Sequence, residues 1–325
     1  MKPVVTHAAP LRVGVSALFD PDDTPHARTF MRALAIGRNC LPGLAQVQWH
    51  FLDDGAHAIR GAEVARHMID WNADVVAGHF SSDAALGAAP LYEQAGIALL
   101  TPAATIDRLT TEHHNVFRFC PSDRQLAGDL ADWLASRGWQ RVQIQADDSA
   151  HGQALAATLG NALARAGLQR CHARADVEVF AGRLKASREH WRARRNAGST
   201  RPLVLTDDAA SPHLGCAPER DRNTFVIGFG VPDSAASVCQ AAALHRALFA
   251  SEPHTYFRES LLMLHVLAGL SGLSGQRRAR PLSATLHDSV FATPMGAVSF
   301  DRGEYQSAQS CIWTLGPTGL TPATR

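Results

Sequence analysis

VVAGHFSSDAALGAAPLYEQAGIALLTPAAT, residues 75–105, carries the reading of the whole chain. Residues 75–77 are a short apolar run of the kind that forms a strand covered on both faces, and Gly78 permits a sharp turn where the strand ends. Ser81 and Ser82 stand just ahead of the helical pattern Leu86, Ala89, Leu91 and are N-cap residues by position, with Asp83 in the first turn. A helix start leaves amide N–H groups unsatisfied and carries partial positive charge, so a carboxylate landing there finds ready donors. Asp83 would repel such a group and is expected to face solvent. Residues 97–100 return as a second strand, and Thr101-Pro102-Ala103-Ala104-Thr105 places carbonyls and a hydroxyl beside the first turn.

Outward from this stretch, strand and helix patterns alternate, the arrangement of α/β folds built from doubly wound lobes. Strands are expected at 13–15, at 47–51, where Val47, Trp49 and Phe51 alternate, and at 116–119. Helices are expected at 25–39 and at 56–71, where Val64, Met68 and Trp71 recur at core-packing spacing. Ser122 and Gln125 fit a capping box that opens a second lobe. There a strand at 142–145 is followed by a helix at 151–166 that ends on Gly167, and further strands are expected at 203–205 and 225–227. Residues 207–224, rich in Asp, Ser, Pro and Gly, read as a loop, and 257–269 as an apolar-faced helix.

The chain has 325 residues, 46% hydrophobic and 19% charged, enough for two domains with a large core. Its formal net charge is +1, and Lys2 and Lys185 are its only lysines, so it lacks a nucleic-acid footprint. The densest basic cluster, Arg188, Arg192, Arg194 and Arg195, reads as a solvated helix face. No stretch reaches the roughly 18–20 apolar residues of a membrane span. The six cysteines are widely separated, without C-x-x-C or zinc spacing.

The 75–105 stretch resembles the type I periplasmic-binding-protein superfamily, specifically the leucine/isoleucine/valine-binding branch of amino-acid ABC transporter substrate-binding proteins. Its GH plus serine-rich turn, LYEQAGI and TPAAT fit that pattern, as do GVSALFD at 14–20, FLDDG at 51–55 and TPMGAVSFDRGEY at 293–305. The resemblance implies two Rossmann-like lobes joined by three hinge crossovers, with 11–121 plus about 250–292 in the first lobe and 122–249 plus 293–325 in the second. It implies that Ser82, helped by Ser81, receives a ligand carboxylate, and that the Ala103 carbonyl and Thr105 hydroxyl receive an α-ammonium. In the second lobe His151 stands where the family places a tyrosine. The family's acidic ammonium ligand has no counterpart in GFGVPD at 228–233, so Asp208 is the candidate substitute.

The function so implied is a small-molecule binding protein that closes on an amino acid, an amino-acid-like molecule or an amide, without cofactor or metal. The residues before the first strand show no apolar signal segment, and Ala56 and Ser81 stand where exported relatives carry a disulfide. Together these favour a cytoplasmic sensor or accessory protein with a regulator as partner. The alternative is an exported, periplasmic component that delivers substrate to an ABC permease. A third reading, an enzyme acting on an amino-acid derivative, would use His151 beside Ser82. His79 reads as a satisfied structural histidine, and His113-His114 as a surface turn. No P-loop, G-x-S-x-G elbow or H-E-x-x-H occurs, and GFG at 228–230 lacks the remainder of a dinucleotide motif.

Overall fold

The computed structural model describes residues 9–20, 22–211, 214–215, 223–230, 236–253, 255–273, 280–316 and 319–323. Along the first half the elements are β1 (Leu11–Ala17), α1 (His26–Cys40), β2 (Val47–Asp53), α2 (Ala58–Asp70), β3 (Val75–Gly78), α3 (Ser82–Gln94), β4 (Ala98–Thr101), α4 (Arg108–Glu112) and β5 (Val116–Arg118). After the first crossing come α5 (Asp123–Ser136), β6 (Arg141–Ala146), α6 (Ala150–Arg165), β7 (Gln169–Arg170), β8 (Val177–Ala181), α7 (Leu184–Asn196), β9 (Leu203–Leu205) and β10 (Thr224–Phe229). The remainder is α8 (Ala236–Phe249), α9 (Phe257–Gly272), α10 (Leu282–Asp288), β11 (Phe291–Thr293), β12 (Gly296–Val298), β13 (Phe300–Asp301), β14 (Glu304–Tyr305), β15 (Ser310–Gly316) and β16 (Gly319–Pro322).

Two seven-stranded sheets result, in the orders β13-β14-β5-β4-β3-β1-β2 and β16-β15-β10-β9-β8-β6-β7. Each contains a parallel run in which the first strand lies between the second and third, so each lobe has a switch point of the doubly wound kind. The carboxyl ends of β1, β3 and β4 then open toward those of β6, β8 and β9. The central strands are fully buried: Val13, Val15, Val75, Ala77, Leu99 and Leu100 in the first sheet, Val142, Val177, Val179 and Val204 in the second. That is why these segments read as continuous apolar runs rather than alternating ones.

The lobe boundaries differ from those expected. The helix α8 packs on the first lobe, where Arg32 donates to Ser251 Oγ at 3.0 Å and lies over the Phe249 ring, and His245 meets Phe257 edge-on. β14 pairs with β5 at Glu304↔Arg118, so residues 300–305 complete the first sheet rather than join the second lobe. The second and third crossings therefore fall near 230 and 306, not near 250 and 293. Short strands of two residues carry too little periodicity to reveal this in sequence. Residues 231–233 of the GFGVPD stretch, and 212, 213 and 216–222 of the expected loop, lie outside the described residues.

Ser122 Oγ accepts from Gln125 N at 3.2 Å, as the capping box requires. The Gln125 amide instead reaches Ala308 O at 2.8 Å and ties down the third crossing. The basic cluster on α7 is only in part a solvated face: Arg194 and His190 contact the buried Glu178 of β8 at 2.8 and 2.7 Å, and Arg195 donates to Ser199 O and Thr224 Oγ1. The histidine pair is held at the surface, His113 by Glu93 at 2.7 Å.

Small residues bring α2 against α3. A Cβ on Gly61 would lie 2.4 Å from Ala84 O, and one on Gly87 only 2.1 Å from Ala58 O. These contacts are with backbone and cannot be relieved by a rotamer change. Gly87→Ala is expected to cost about 1–3 kcal/mol in urea unfolding through overpacking, although alanine is the better helix former.

Candidate functional site

Among the described residues, every one that lines the interlobe cavity follows the carboxyl end of a strand by at most nine positions. From the first lobe come His26 after β1, Phe80, Ser81 and Ser82 after β3, and Ala103 after β4; from the second come His151 after β6, Arg183 after β8, and Asp207 and Asp208 after β9. Tyr256, at the start of α9 with a left-handed backbone (φ 69°), stands behind this lining and reaches Asp207 and Asp208 with its hydroxyl. Ser81, Ser82, Ala103, His151 and Asp208 of the expected set thus border one interlobe cavity. Thr105 does not line it; its hydroxyl lies 3.2 Å from His151 Nδ1.

The helix α3 starts at Ser82, with Ser81 as its N-cap in extended backbone. The Ser81 hydroxyl makes no capping bond, and among the described residues it has no hydrogen-bond partner although it is buried. Asp83 departs from expectation. Its carboxylate accepts from Ala150 N at 3.0 Å and from Arg183 Nη2 at 3.1 Å, across the lobe boundary rather than toward solvent. Arg183 also donates to Ala56 O at 2.7 Å and lies 3.6 Å from Asp23. One arginine at the start of α7 therefore fastens three points of the first lobe.

Behind this rim runs a buried polar chain. His26 Nε2 lies 2.9 Å from Asp208 Oδ1. The Tyr256 hydroxyl faces two carboxylates with one proton, Asp208 Oδ1 at 2.5 Å and Asp207 Oδ2 at 2.8 Å. His151 Nε2 lies 3.3 Å from Asp207 Oδ1. Burial alone would drive the His151 imidazole toward neutrality, but Asp207, Asp123 and Asp208 outweigh it and push its pKa up to about 10. Burial would likewise raise Asp208, yet His26, His151 and Tyr256 hold it below the usual carboxylate range. Asp123, fully buried at the start of α5, is pushed up to about 6 by burial in spite of His151.

Arg118 supports the 101–105 turn from below. Its guanidinium donates to Thr105 O and Ile106 O at 2.8 Å each, to Thr110 Oγ1 at 3.0 Å and to Glu304 Oε1 at 2.7 Å. On the opposite side of β3, His79 is wholly buried between Asp54 (3.0 Å), Ser16 (3.2 Å) and Tyr92 (3.0 Å), a satisfied structural histidine.

Residues 43–190 match the family model described as periplasmic binding protein. An amino acid binding protein of Pseudomonas aeruginosa is 30% identical over 107 residues, 32% of this chain and 29% of its own. A Leu/Ile/Val-binding protein of Citrobacter freundii is 29% identical over 132 residues, 40% of this chain and 34% of that one. The chain thus spans about a third of the length of the curated relatives it matches. The structure of a leucine binding protein from Thermotoga maritima superposes with a TM-score of 0.85 at 16% identity, covering 97% of this chain and 98% of the other. Residues 43–190 thus resemble the periplasmic binding protein family in sequence, and the fold over nearly the whole chain is that of type I periplasmic binding proteins.

The superfamily's two-lobed fold is shared over nearly the whole length, and the sequence likeness lies toward its leucine/isoleucine/valine-binding branch. His26, Arg183, Asp207 and Tyr256 were absent from the sequence-based set. For the first three a signal existed, since each follows a strand terminus, where a doubly wound lobe places its ligand contacts. Tyr256 had none. In this conformation the cavity measures about 10 Å³, the room of a single water molecule. Any larger ligand requires the lobes to separate.

Proposed function

We propose that this chain is the ligand-binding component of an amino-acid-type uptake system, holding a small carboxylate-bearing molecule between its lobes. The observation that carries the reading is the convergence of Ser81, Ser82 and Ala103 with His151 and Arg183 on one interlobe cavity. The unsatisfied amides at the start of α3 and the partnerless Ser81 hydroxyl are donors for a carboxylate. His151 supplies a cation opposite them. Charge-assisted hydrogen bonds of this kind are worth roughly 1.5–3 kcal/mol each. Arg183 and Asp83 then serve as a clasp that favours the closed arrangement, and a ligand is signalled only if it binds the closed form better than the open one.

The same fold is found in an ABC transporter substrate-binding protein of Desulfitobacterium hafniense, which favours a transport role over cytoplasmic sensing. The cytoplasmic reading draws on Ala56 and Ser81, which replace the cystine pair of exported relatives. Fractionation of cells producing the full-length protein separates the two. An enzymatic reading is disfavoured by His151, which as an imidazolium has no lone pair with which to take a proton from Ser82.

A thermal-shift screen of small carboxylates, amino acids and amides tests the binding role, because a ligand that binds only the folded state raises its apparent stability. Ser81→Ala is expected to remove most of the ligand-induced rise while leaving the unliganded melting temperature unchanged. Thr105→Ala is expected to lower the unliganded stability by about 1 kcal/mol, since His151 Nδ1 loses its partner. If Ser81→Ala responds to ligand like the parent, the carboxylate anchor is misplaced.

A further inference from the structure

The two lobes hold each other through groups that are all the protein's own. At the rim, the Arg183 guanidinium of α7 donates to Ala56 O at 2.7 Å and to Asp83 at 3.1 Å. Asp83 also accepts from the Ala150 amide at 3.0 Å, the Lys185 amide donates to Asp23 O at 3.3 Å, and Arg188 donates to Asp22 O at 3.0 Å. Deeper in, His26 Nε2 lies 2.9 Å from Asp208 Oδ1, their side chains only 7% and 4% exposed, and Thr105 Oγ1 lies 3.2 Å from His151 Nδ1. One member of every pair belongs to the first lobe and the other to the second, so these bonds form or break together in one rigid-body motion.

None of these bonds needs a guest. An intramolecular hydrogen bond has a small net gain over hydration and a charge-assisted one a larger gain, and here several are added in a single closing step. The same step leaves a cavity of about 10 Å³, the room of one water molecule. Even glycine is several times larger. The latched arrangement therefore differs from any arrangement that holds a small organic molecule, and the two compete.

We infer that the free chain latches itself shut through Asp83, Arg183, His26 and Asp208, an autoinhibited form that a guest must open before it is held. Apparent affinity is then the intrinsic affinity reduced by the open fraction, so the strength of the latch sets the concentration at which the protein responds. That a guest does the opening rests on the cleft-binding reading above; the latch itself rests on the contacts alone.

Two amides report the latch directly. Ala150 and Lys185 stand in the first turns of α6 and α7, where a helix supplies no acceptor for its own N–H groups, and each donates instead across the lobe boundary. Their hydrogen exchange is followed by NMR on the full chain, after unfolding, dialysis and refolding have stripped any carried-over molecule and native mass spectrometry has confirmed its removal. Both amides are expected to exchange at least ten-fold more slowly than in unstructured reference peptides. In His26→Gln, a residue bonded to neither amide, both are expected to speed up about ten-fold or more; in Asp83→Ala, which removes the acceptor of Ala150, Lys185 is expected to do the same. Circular dichroism confirms that both variants are folded. Unprotected amides in the parent overturn the inference, since the lobes then stand apart, and leave the binding role untouched. Protection that survives both substitutions overturns it too, because closure is then set by other residues. Protected, substitution-sensitive amides uphold the latch even where the thermal-shift screen finds no ligand and the binding role falls.

Discussion

Arg118→Met is expected to lower stability by about 3–5 kcal/mol, the cost of removing one member of a buried charged network. The guanidinium is fully buried and donates to two carbonyls, a hydroxyl and a carboxylate drawn from three parts of the chain. Methionine fills similar volume yet returns none of those bonds, so Thr105 O, Ile106 O and Glu304 are left without the donors that hold them. Urea unfolding measures the loss. Glu304→Gln keeps an acceptor opposite the arginine, and its side chain is 30% exposed, so it should cost far less. Equal losses in the two variants would mean that the ion pair, rather than the carbonyl anchoring, holds the turn. In Arg118→Met the 101–105 turn is also released, and any ligand-induced stabilisation should fall with it.

His151→Leu should be comparably damaging, on the order of 3–5 kcal/mol at neutral pH, because Asp207, Asp208 and Asp123 lose their shared cation. The pH dependence has a definite sign. His151 titrates near 6.5 in the unfolded chain and about 10 in the folded one. Its contribution is therefore fully present below about pH 6.5 and declines as pH rises toward and through about 10. Cys120 and Tyr256, both raised by burial, also affect unfolding at alkaline pH. The difference between parent and variant curves isolates the histidine: it should be largest near pH 6 and nearly vanish above pH 10. A difference that stays constant from pH 6 to 10 would show that the imidazole is neutral in the fold.

The fold was legible because its determinants are local. Buried parallel strands announce themselves as apolar runs, and the 75–105 stretch contains strand, turn, helix and strand in uninterrupted order. The first-lobe side of the cavity was legible for the same reason, since Ser81, Ser82 and Ala103 are placed there by the elements they adjoin. The second lobe was harder. Asp208 was reachable as an acid after a strand, but its partners His26 and Tyr256 are 182 and 48 residues away along the chain, and no spacing connects them. Asp83 was misread because its solvent-facing assignment considered only the charge at its own helix; the Arg183 that captures it comes from the other lobe. The crossings near 230 and 306 were missed since α8 is apolar on several faces and β13 and β14 are only two residues each.

The close seating of α3 on α2, through Gly61 and Gly87, has an evolutionary corollary. Peptide N–H groups at the start of α3 belong to the main chain, and no single-residue replacement there short of proline deletes one. The peptide donors of the first jaw are thus fixed by construction, whatever side chains flank them. Changes of side chain that leave these donors untouched are then available on the other jaw and on the few first-lobe groups that reach across to it.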